Sequence, residues 1–529
     1  MPSAAFDARR ADQTLFGAVL DAARTHGRNR EVVVDADHQR LTYKRLIMAA
    51  LVLGRKLAGL TQSSSTVGVL LPNAAGAVVT LLGLNAFGRT VAMLNFTAGA
   101  RNLTSALKTG PIRVVLTSRR FIETAKLEDV VRALEAVEPV PGKRVQIVYL
   151  EDVRATISTL DKIRGAASSL VAGTFARRHG MRPERAAVVL FTSGTEGAPK
   201  GVVLSNANLV ANAHQILQHA GGMLTSADVV LNPLPMFHSF GLTAATLMPL
   251  LGGMKVVLYP SPLHYKQVTR TIREHKASVL FATDTFLMGY VRAAEAADLA
   301  SIRYVIAGAE RVKEATRQAW ARTGAVILEG YGATECSPVI ACNLPHLNVP
   351  GTVGPLLPGI ETQLEKVEGI EDGGRLKVRG PNVMSGYMLA DTPGVVYPPQ
   401  DGWPDTGDIV TIDDNSVITI RGRAKRFAKI GGEMVSLAAV EALAAQLWPD
   451  SQHVVVNLPD DRKGEQLVLV TDKPDADKAQ LLAHAKASGF PELWVPRAVM
   501  VVGSIPVSGT GKVDFQATLA MTRQARPLL

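Results

Sequence analysis

The chain reads as an α/β protein with three parts. A large N-terminal body of stacked, mostly parallel sheets carries a small antiparallel β subdomain, and a smaller α+β C-terminal domain follows. Three observations predict this. Residues 67–71, 74–87 and 91–94 run strand, helix, strand, a βαβ unit that implies a parallel sheet. Strand-length apolar runs recur at 229–231, 256–258, 279–281, 304–306 and 326–328, separated by helical or mixed segments. Near Gly351 the helical signals fade and short runs between Gly/Pro turns take over.

Each element has its own signal. Thr14 caps a helix whose Leu15, Phe16, Val19 and Leu20 share one side, and Gly27 stops it. Leu46, Leu53 and Leu57 mark a second helix, and Gly88 ends the helix of the βαβ unit. Further strands are expected at 114–116, 145–150 and 186–191, and a helix opens at Ser205. Residues 161–185 carry the least pattern and read as a surface insertion. Residues 409–412 and 417–420 flank the turn 413–416 as a hairpin. The domain boundary is placed after Arg423, giving a large domain over 1–423 and a small one over 424–529. In the latter, Ser436 opens a helix bearing Leu437, Val440 and Leu443, with strands at 454–456, 467–470 and 499–502.

Composition narrows the function classes. At 529 residues, 47% hydrophobic and 20% charged, the chain is globular and larger than one ordinary domain. Cys336 and Cys342 lie six apart, which fits neither a zinc site nor a redox pair; they read as packed thiols in a reducing cytoplasm. The first ten residues lack the apolar core of a signal peptide. The most apolar region, 67–94, is broken by Pro72, Asn73, Asn85 and Arg89, so any membrane contact is expected to be peripheral. The net charge of +10 favours acidic partners such as nucleic acid, anionic lipid or an acidic protein. No basic block interleaved with aromatics is present, which disfavours nucleic acid. The densest basic run is Arg421, Arg423, Lys425, Arg426 and Lys429, which by itself also reads as a solvated face.

Residues 191–201, Phe-Thr-Ser-Gly-Thr-Glu-Gly-Ala-Pro-Lys-Gly, place three glycines, three hydroxyls and a lysine in what reads as a strand-to-helix connection. Backbone N–H groups freed by glycine, hydroxyl donors and a cation suit a polyphosphate. Such a loop is also commonly no more than a turn. It is not a Walker loop: Lys200 follows Pro199 and precedes Gly201, and near the end Lys512 precedes Val513.

Distant segments complete the pattern in one order: 234–241 (Leu-Pro-Met-Phe-His-Ser-Phe-Gly), 308–310 (Gly-Ala-Glu), 329–335 (Glu-Gly-Tyr-Gly-Ala-Thr-Glu), 403–408 (Trp-Pro-Asp-Thr-Gly-Asp), 421–425 (Arg-Gly-Arg-Ala-Lys), Gly431-Gly432 and 506–512 (Pro-Val-Ser-Gly-Thr-Gly-Lys). Across essentially the whole chain this resembles the adenylate-forming superfamily of acyl-CoA synthetases, carrier-protein adenylation domains and luciferases. The resemblance implies a fatty carboxylate attacking the α-phosphate of MgATP, then a thiol attacking the acyl-adenylate, with a C-terminal domain that moves between the steps. Thr192, Ser193, Gly194, Thr195, Gly197 and Lys200 would cradle the phosphates, and Glu335 would hold Mg²⁺. Gly308, Ala309, Glu310, Gly330, Tyr331 and Gly332 would line the nucleotide, with Tyr331 on adenine and Thr334 near the α-phosphate. Asp408 would accept from the ribose hydroxyls, helped by Arg423. His238 would orient the carboxylate and gate an acyl pocket spread between His238 and Pro338. Lys512 would be the catalytic cation of adenylation. Lys425 would be the hinge, and Gly431 and Gly432 the thiol tunnel.

A narrower likeness lies in 258–265, 328–331, 425–436 and Glu196, which resemble the synthetase half of bacterial acyl-acyl-carrier-protein synthetases, often fused to a 2-acylglycerophosphoethanolamine acyltransferase. It implies acyl-carrier protein as thiol acceptor, docking on the basic run 421–429. CoA, as in a long-chain acyl-CoA synthetase, is the alternative. The acyltransferase half needs a His-x4-Asp motif in a preceding domain, so lysolipid acyl transfer by this chain alone is not expected. A membrane-surface binding protein with an inactive site is the reading from another class, disfavoured by the intact Lys512, Glu335 and Asp408.

Overall fold

The βαβ unit is present: strands Thr66–Val69 and Thr90–Met93 pair in parallel and helix Ala75–Ala86 joins them. The computed structural model describes residues 5–173, 182–192, 199–295, 297–368, 370–430, 433–460, 464–507 and 513–525. Helix Ala75–Ala86 is buried at every position except Gly76. A helix apolar all round must be enclosed, and this one touches both Thr90–Met93 and Glu31–Asp35, strands of two different sheets. The Asp35 carboxylate accepts from Ala75 N at 3.0 Å, anchoring the first turn of the helix to the second sheet. Glycines let the neighbouring helix Tyr43–Leu60 approach closely, since a Cβ on Gly54 would lie 2.5 Å from the Gly83 carbonyl oxygen.

Two compact units result, Met1–Glu361 with Arg379–Pro404, and Thr362–Val378 with Asp405–Leu529. Among the described residues the first unit holds two eight-stranded sheets. One runs Val339–Cys342, Val326–Gly332, Tyr304–Ala307, Val279–Ala282, Val229–Asn232, Lys255–Leu258, Glu31–Asp35, Arg40–Thr42, with antiparallel pairs only at its two ends. The other runs Thr392–Tyr397, Gly386–Leu389, Lys200–Ser205, Ala186–Thr192, Thr90–Met93, Thr66–Val69, Val114–Thr117, Gln146–Tyr149. All five strands expected between 229 and 328 are found, in one sheet.

The second unit carries a four-stranded sheet, Glu361–Glu365, Gly374–Arg379, Asp405–Ile412 and Ile418–Arg423, whose last three strands pair antiparallel and contain the expected hairpin. Its other sheet comprises Glu433–Ser436, Phe427–Ile430, Gly464–Thr471 and His453–Asp460, with Ala498–Val501 beside Gly464–Thr471. Helix Leu437–Leu447 starts at Ser436, whose hydroxyl accepts from Ala439 N.

One expectation is corrected. The Gly/Ser/Thr-rich loop does not lead from a strand into a helix: Lys200–Ser205 is itself a strand, antiparallel to Ala186–Thr192, and the helix follows it. The run Val202-Val203-Leu204 is buried on both faces and lacks the alternation that marks a strand. The stretch expected as a surface insertion begins within helix Thr159–Leu170, which a Ser158/Asp161 capping box opens. It turns small and polar residues inward and leaves larger apolar ones exposed, the inverse of the usual pattern.

Helix Asn206–Ala220 fixes what surrounds the candidate site. Its Asn208, Asn212, Gln215 and His219 fall at helical spacing on one stripe. Asn208 Nδ2 donates to Pro381 O (2.9 Å), and Gln215 Nε2 to Pro358 O (2.8 Å). Asn212 exchanges two bonds with the backbone of Val339, at 2.8 and 3.0 Å. His219 Nε2–H donates to Cys342 O at 2.8 Å, and burial pushes this histidine's pKa down, keeping it neutral. Asn212→Ala strips both partners from Val339; urea unfolding is expected to show a loss of about 1–3 kcal/mol.

Candidate active site

The glycine-rich loop is closed at its base by strand pairing, with Thr192 opposite Lys200 and Phe191 opposite Gly201. Ser193, Gly194, Thr195, Glu196 and Gly197 lie outside the described residues. Lys200 is exposed. A third strand, Gly386–Leu389, runs antiparallel to Lys200–Ser205 and sets Tyr387 opposite Val202. The Lys200 ammonium sits 5.4 Å from the centre of the Tyr387 ring. The hydroxyl of the same tyrosine donates to Glu335 Oε1 at 2.6 Å. One aromatic side chain thus links the base of the loop to the carboxylate expected to hold a cation.

The turn Thr334–Cys336 that carries Glu335 is tied down on several sides. Met384 N donates to Glu335 O at 2.8 Å. Buried Asn382 donates to Cys336 O at 2.7 Å, and Ser337, at φ +70°, donates its hydroxyl proton to Asn382 O at 2.8 Å. Gly332 has no alternative residue: a Cβ there would lie 2.2 Å from Pro338 O. Gly330 lies opposite Cys342, and Tyr331 is buried opposite Ala341. Buried Glu329, which opens the motif, accepts from Val312 N (2.9 Å) and pairs with Arg317. Burial pushes the Cys342 thiol up to about 12 and raises Cys336 well above its ordinary value, with the Glu335 charge adding to the latter, so both stay protonated and inert.

His238 follows strand Val229–Asn232, and its N–H donates to Pro235 O at 3.1 Å. Buried Asn73 holds this segment by donating to Asn232 O (3.0 Å) and Leu234 O (2.9 Å). The next stretch, Phe240–Leu247, is π-helical, a wide turn often found at functional sites. Asn232 Nδ2 fits into it, donating to Gly241 O and Thr246 Oγ1 at 3.0 and 2.8 Å. The Phe237 ring stacks edgewise on His238 and on Phe96.

Gly308 follows strand Tyr304–Ala307, and a Cβ on it would come within 3.1 Å of the Phe240 ring. Ala309 holds φ +68°, a strained value for a residue with a side chain. Glu310 accepts from the Thr285 N–H and hydroxyl at 3.1 and 3.0 Å, in the first turn of helix Asp284–Ala293. In the first unit, therefore, the expected residues sit where strands Ala186–Thr192, Tyr304–Ala307 and Val326–Gly332 end, the edge at which open α/β sheets bind ligands.

In the second unit Asp408 and Arg423 face each other across the hairpin, and Arg423 Nε lies 2.8 Å from Asp408 Oδ1. Asp408 is buried and Arg423 exposed. The basic run is largely spoken for: Arg421 pairs with Asp372, and Arg426 pairs with half-buried Glu441 while stacking on Phe515. Arg426 is accordingly no free docking cation. Lys425 lies in the turn Ala424–Arg426, its side chain outside the description, and Gly431, Gly432 and Lys512 lie outside the described residues. Sequence reasoning missed Tyr387, Asn382, Asn73 and Asn212. The one signal available was a tyrosine in the strand-like 386–389 run.

Comparisons with known proteins identify the family. The family model of AMP-binding enzymes matches residues 19–388. A long-chain-fatty-acid–CoA ligase of Bacillus subtilis is 30% identical over 62% of this chain and 60% of its own length, so the chain spans less than two thirds of that relative. A 3-[(3aS,4S,7aS)-7a-methyl-1,5-dioxo-octahydro-1H-inden-4-yl]propanoyl:CoA ligase of Rhodococcus jostii is 30% identical over 84% of this chain and 87% of its own. The fold is that of an anthranilate CoA ligase solved with anthranoyl-AMP, with TM-score 0.77 and 20% identity over 98% of this chain and 99% of that one. By sequence and by fold, this chain belongs to the AMP-binding enzyme family.

Proposed function

We propose that the protein is an ATP-dependent acid–thiol ligase that activates a fatty acid as its acyl-adenylate and passes the acyl group to CoA. The observation that carries the reading is the Lys200–Tyr387–Glu335 contact, which gathers a cation, a hydroxyl and a carboxylate beside the glycine-rich loop. Relatives named as CoA ligases support the acceptor, and a relative named for long-chain fatty acids supports the acid. Acyl-carrier protein is the second reading, supported by Glu196 and the 425–436 segment.

In the first step a carboxylate oxygen attacks the α-phosphorus and pyrophosphate leaves. In the second the sulfur of a thiolate attacks the acyl carbon and AMP leaves. Neither step needs a protein nucleophile; both need positioning and charge stabilisation. Thr192, Lys200 and the loop between them bind the phosphates. Glu335 suits Mg²⁺: the Tyr387 hydroxyl orients the carboxylate through Oε1, and a hard cation takes one such group plus phosphate oxygens. The bound cation would neutralise the charge of the departing pyrophosphate. The ribose hydroxyls go to Asp408, His238 orients the carboxylate, and Lys512 offsets charge at the reacting phosphorus. The smaller domain turns at Lys425 to present first Lys512 and then Gly431 and Gly432.

Three measurements test this. Tyr387→Phe keeps the ring but loses the bond to Glu335, and is expected to lower kcat/KM for MgATP about tenfold, with a shifted Mg²⁺ dependence of pyrophosphate exchange. Lys512→Ala should nearly abolish acid-dependent ATP–pyrophosphate exchange while sparing thioester formation from supplied acyl-adenylate; equal loss in both would refute its role. With one fatty acid and both thiols present, CoA is expected to take the acyl group; preferential loading of holo-carrier protein would select the second reading.

A further inference from the structure

Helix Thr159–Leu170 presents to solvent what most helices bury. Leu160, Ile163, Leu170 and the adjoining Val171 are 53, 60, 76 and 59% exposed, on one side of the helix with Ala167 between them. The opposite side is committed to helix Tyr43–Leu60. Asp161 lies 2.8 Å from Lys56 Nζ, and Arg55 donates to the Ser168 hydroxyl at 3.2 Å. Gly165 fits against Val52, where a Cβ would clash at 2.2 Å. The orientation is therefore fixed by its packing, and the apolar stripe faces outward. Cations rim it: Lys162 and Arg164 are exposed on the helix, and exposed Arg28 donates to Ser169 O at 3.0 Å near its end. Asp161, the helix's one acid, is neutralised by Lys56.

We propose that this helix face docks the protein on an anionic lipid bilayer, lying in the plane of the surface with Leu160, Ile163 and Leu170 among the acyl chains and Lys162, Arg164 and Arg28 on the headgroups. A short amphipathic helix with an apolar stripe and a basic rim has the physical form of an interfacial anchor. It does not span: among the described residues no helix is long and apolar enough to cross a membrane. A bilayer fits the basic rim better than a second copy of this chain, which would set Lys162 and Arg164 against their own like charges. The proposal does not depend on the ligase reading, and its test uses neither ATP nor acid.

The full chain is mixed with phosphatidylcholine vesicles, with and without phosphatidylglycerol, and the bound fraction is read by flotation. Binding is expected only with phosphatidylglycerol, and weaker in added salt. Ile163→Asp with Leu170→Asp should lower it about tenfold, and Lys162→Glu with Arg164→Glu should also reduce it. As a direct readout, an environment-sensitive dye on Ile163→Cys should shift to the blue with these vesicles; the native thiols, one buried, one half-buried and both held protonated, compete poorly for the label. Parent-like binding by either double variant, equal binding to pure phosphatidylcholine, or an unmoved dye overturns the proposal. So does a dimer-to-monomer change in the aspartate variant with vesicle binding intact, which would give the face to a second copy.

Discussion

The pairing of Gly386–Leu389 with Lys200–Ser205 is the constraint on which the candidate site depends. It joins segments almost two hundred residues apart, and its consequence is the placement of one side chain. Tyr387 meets Lys200 with its ring and Glu335 with its hydroxyl. A shift of one residue in register would turn Tyr387 to the other face of the sheet and part both contacts at once. The geometry of the site is thus held by backbone ladders, which are hard to deform, and not by the long side chains that would handle the nucleotide.

A second device works beside the first. The amide and imidazole groups of Asn208, Asn212, Gln215 and His219 bind the backbone at 339, 342, 358 and 381, loop and strand positions around the Glu335 turn. These carbonyls and N–H groups are buried or part-buried, so losing a partner costs free energy. The polar stripe is the price of bringing irregular backbone into the middle of an apolar body. Asn73, Asn232 and Asn382 do the same elsewhere around the site, the side chain of each spanning two backbone positions.

The same physics separates the two units. In the first, an enclosed helix and two large sheets share one core, and the candidate residues lie where parallel strands end. In the second, the sheet that follows residue 426 has its own core around Leu437, Val440, Leu443 and Leu469. Ion pairs take up Arg421, Arg423 and Arg426, so three of the five cations in a run that reads as a basic patch along the chain already have acidic partners.

Much of the fold was legible along the chain. The βαβ unit, the five parallel strands from 229 to 332, the hairpin before Arg423 and the caps at Thr14 and Ser436 are local events, set by apolar period and by hydroxyls that satisfy helix N–H groups. The motif residues stand out along the chain as candidates, because their chemistry is written in their types. What the chain order could not say is which of them meet. Lys200–Ser205, a strand buried on both faces, has no alternation to reveal it; helix Thr159–Leu170 wears its apolar side outward and so hides its period from a search for buried stripes. Tyr387 and Asn212 owe their importance to contacts across long stretches of sequence, and such pairing is decided only when the sheets close and unsatisfied backbone groups must find partners.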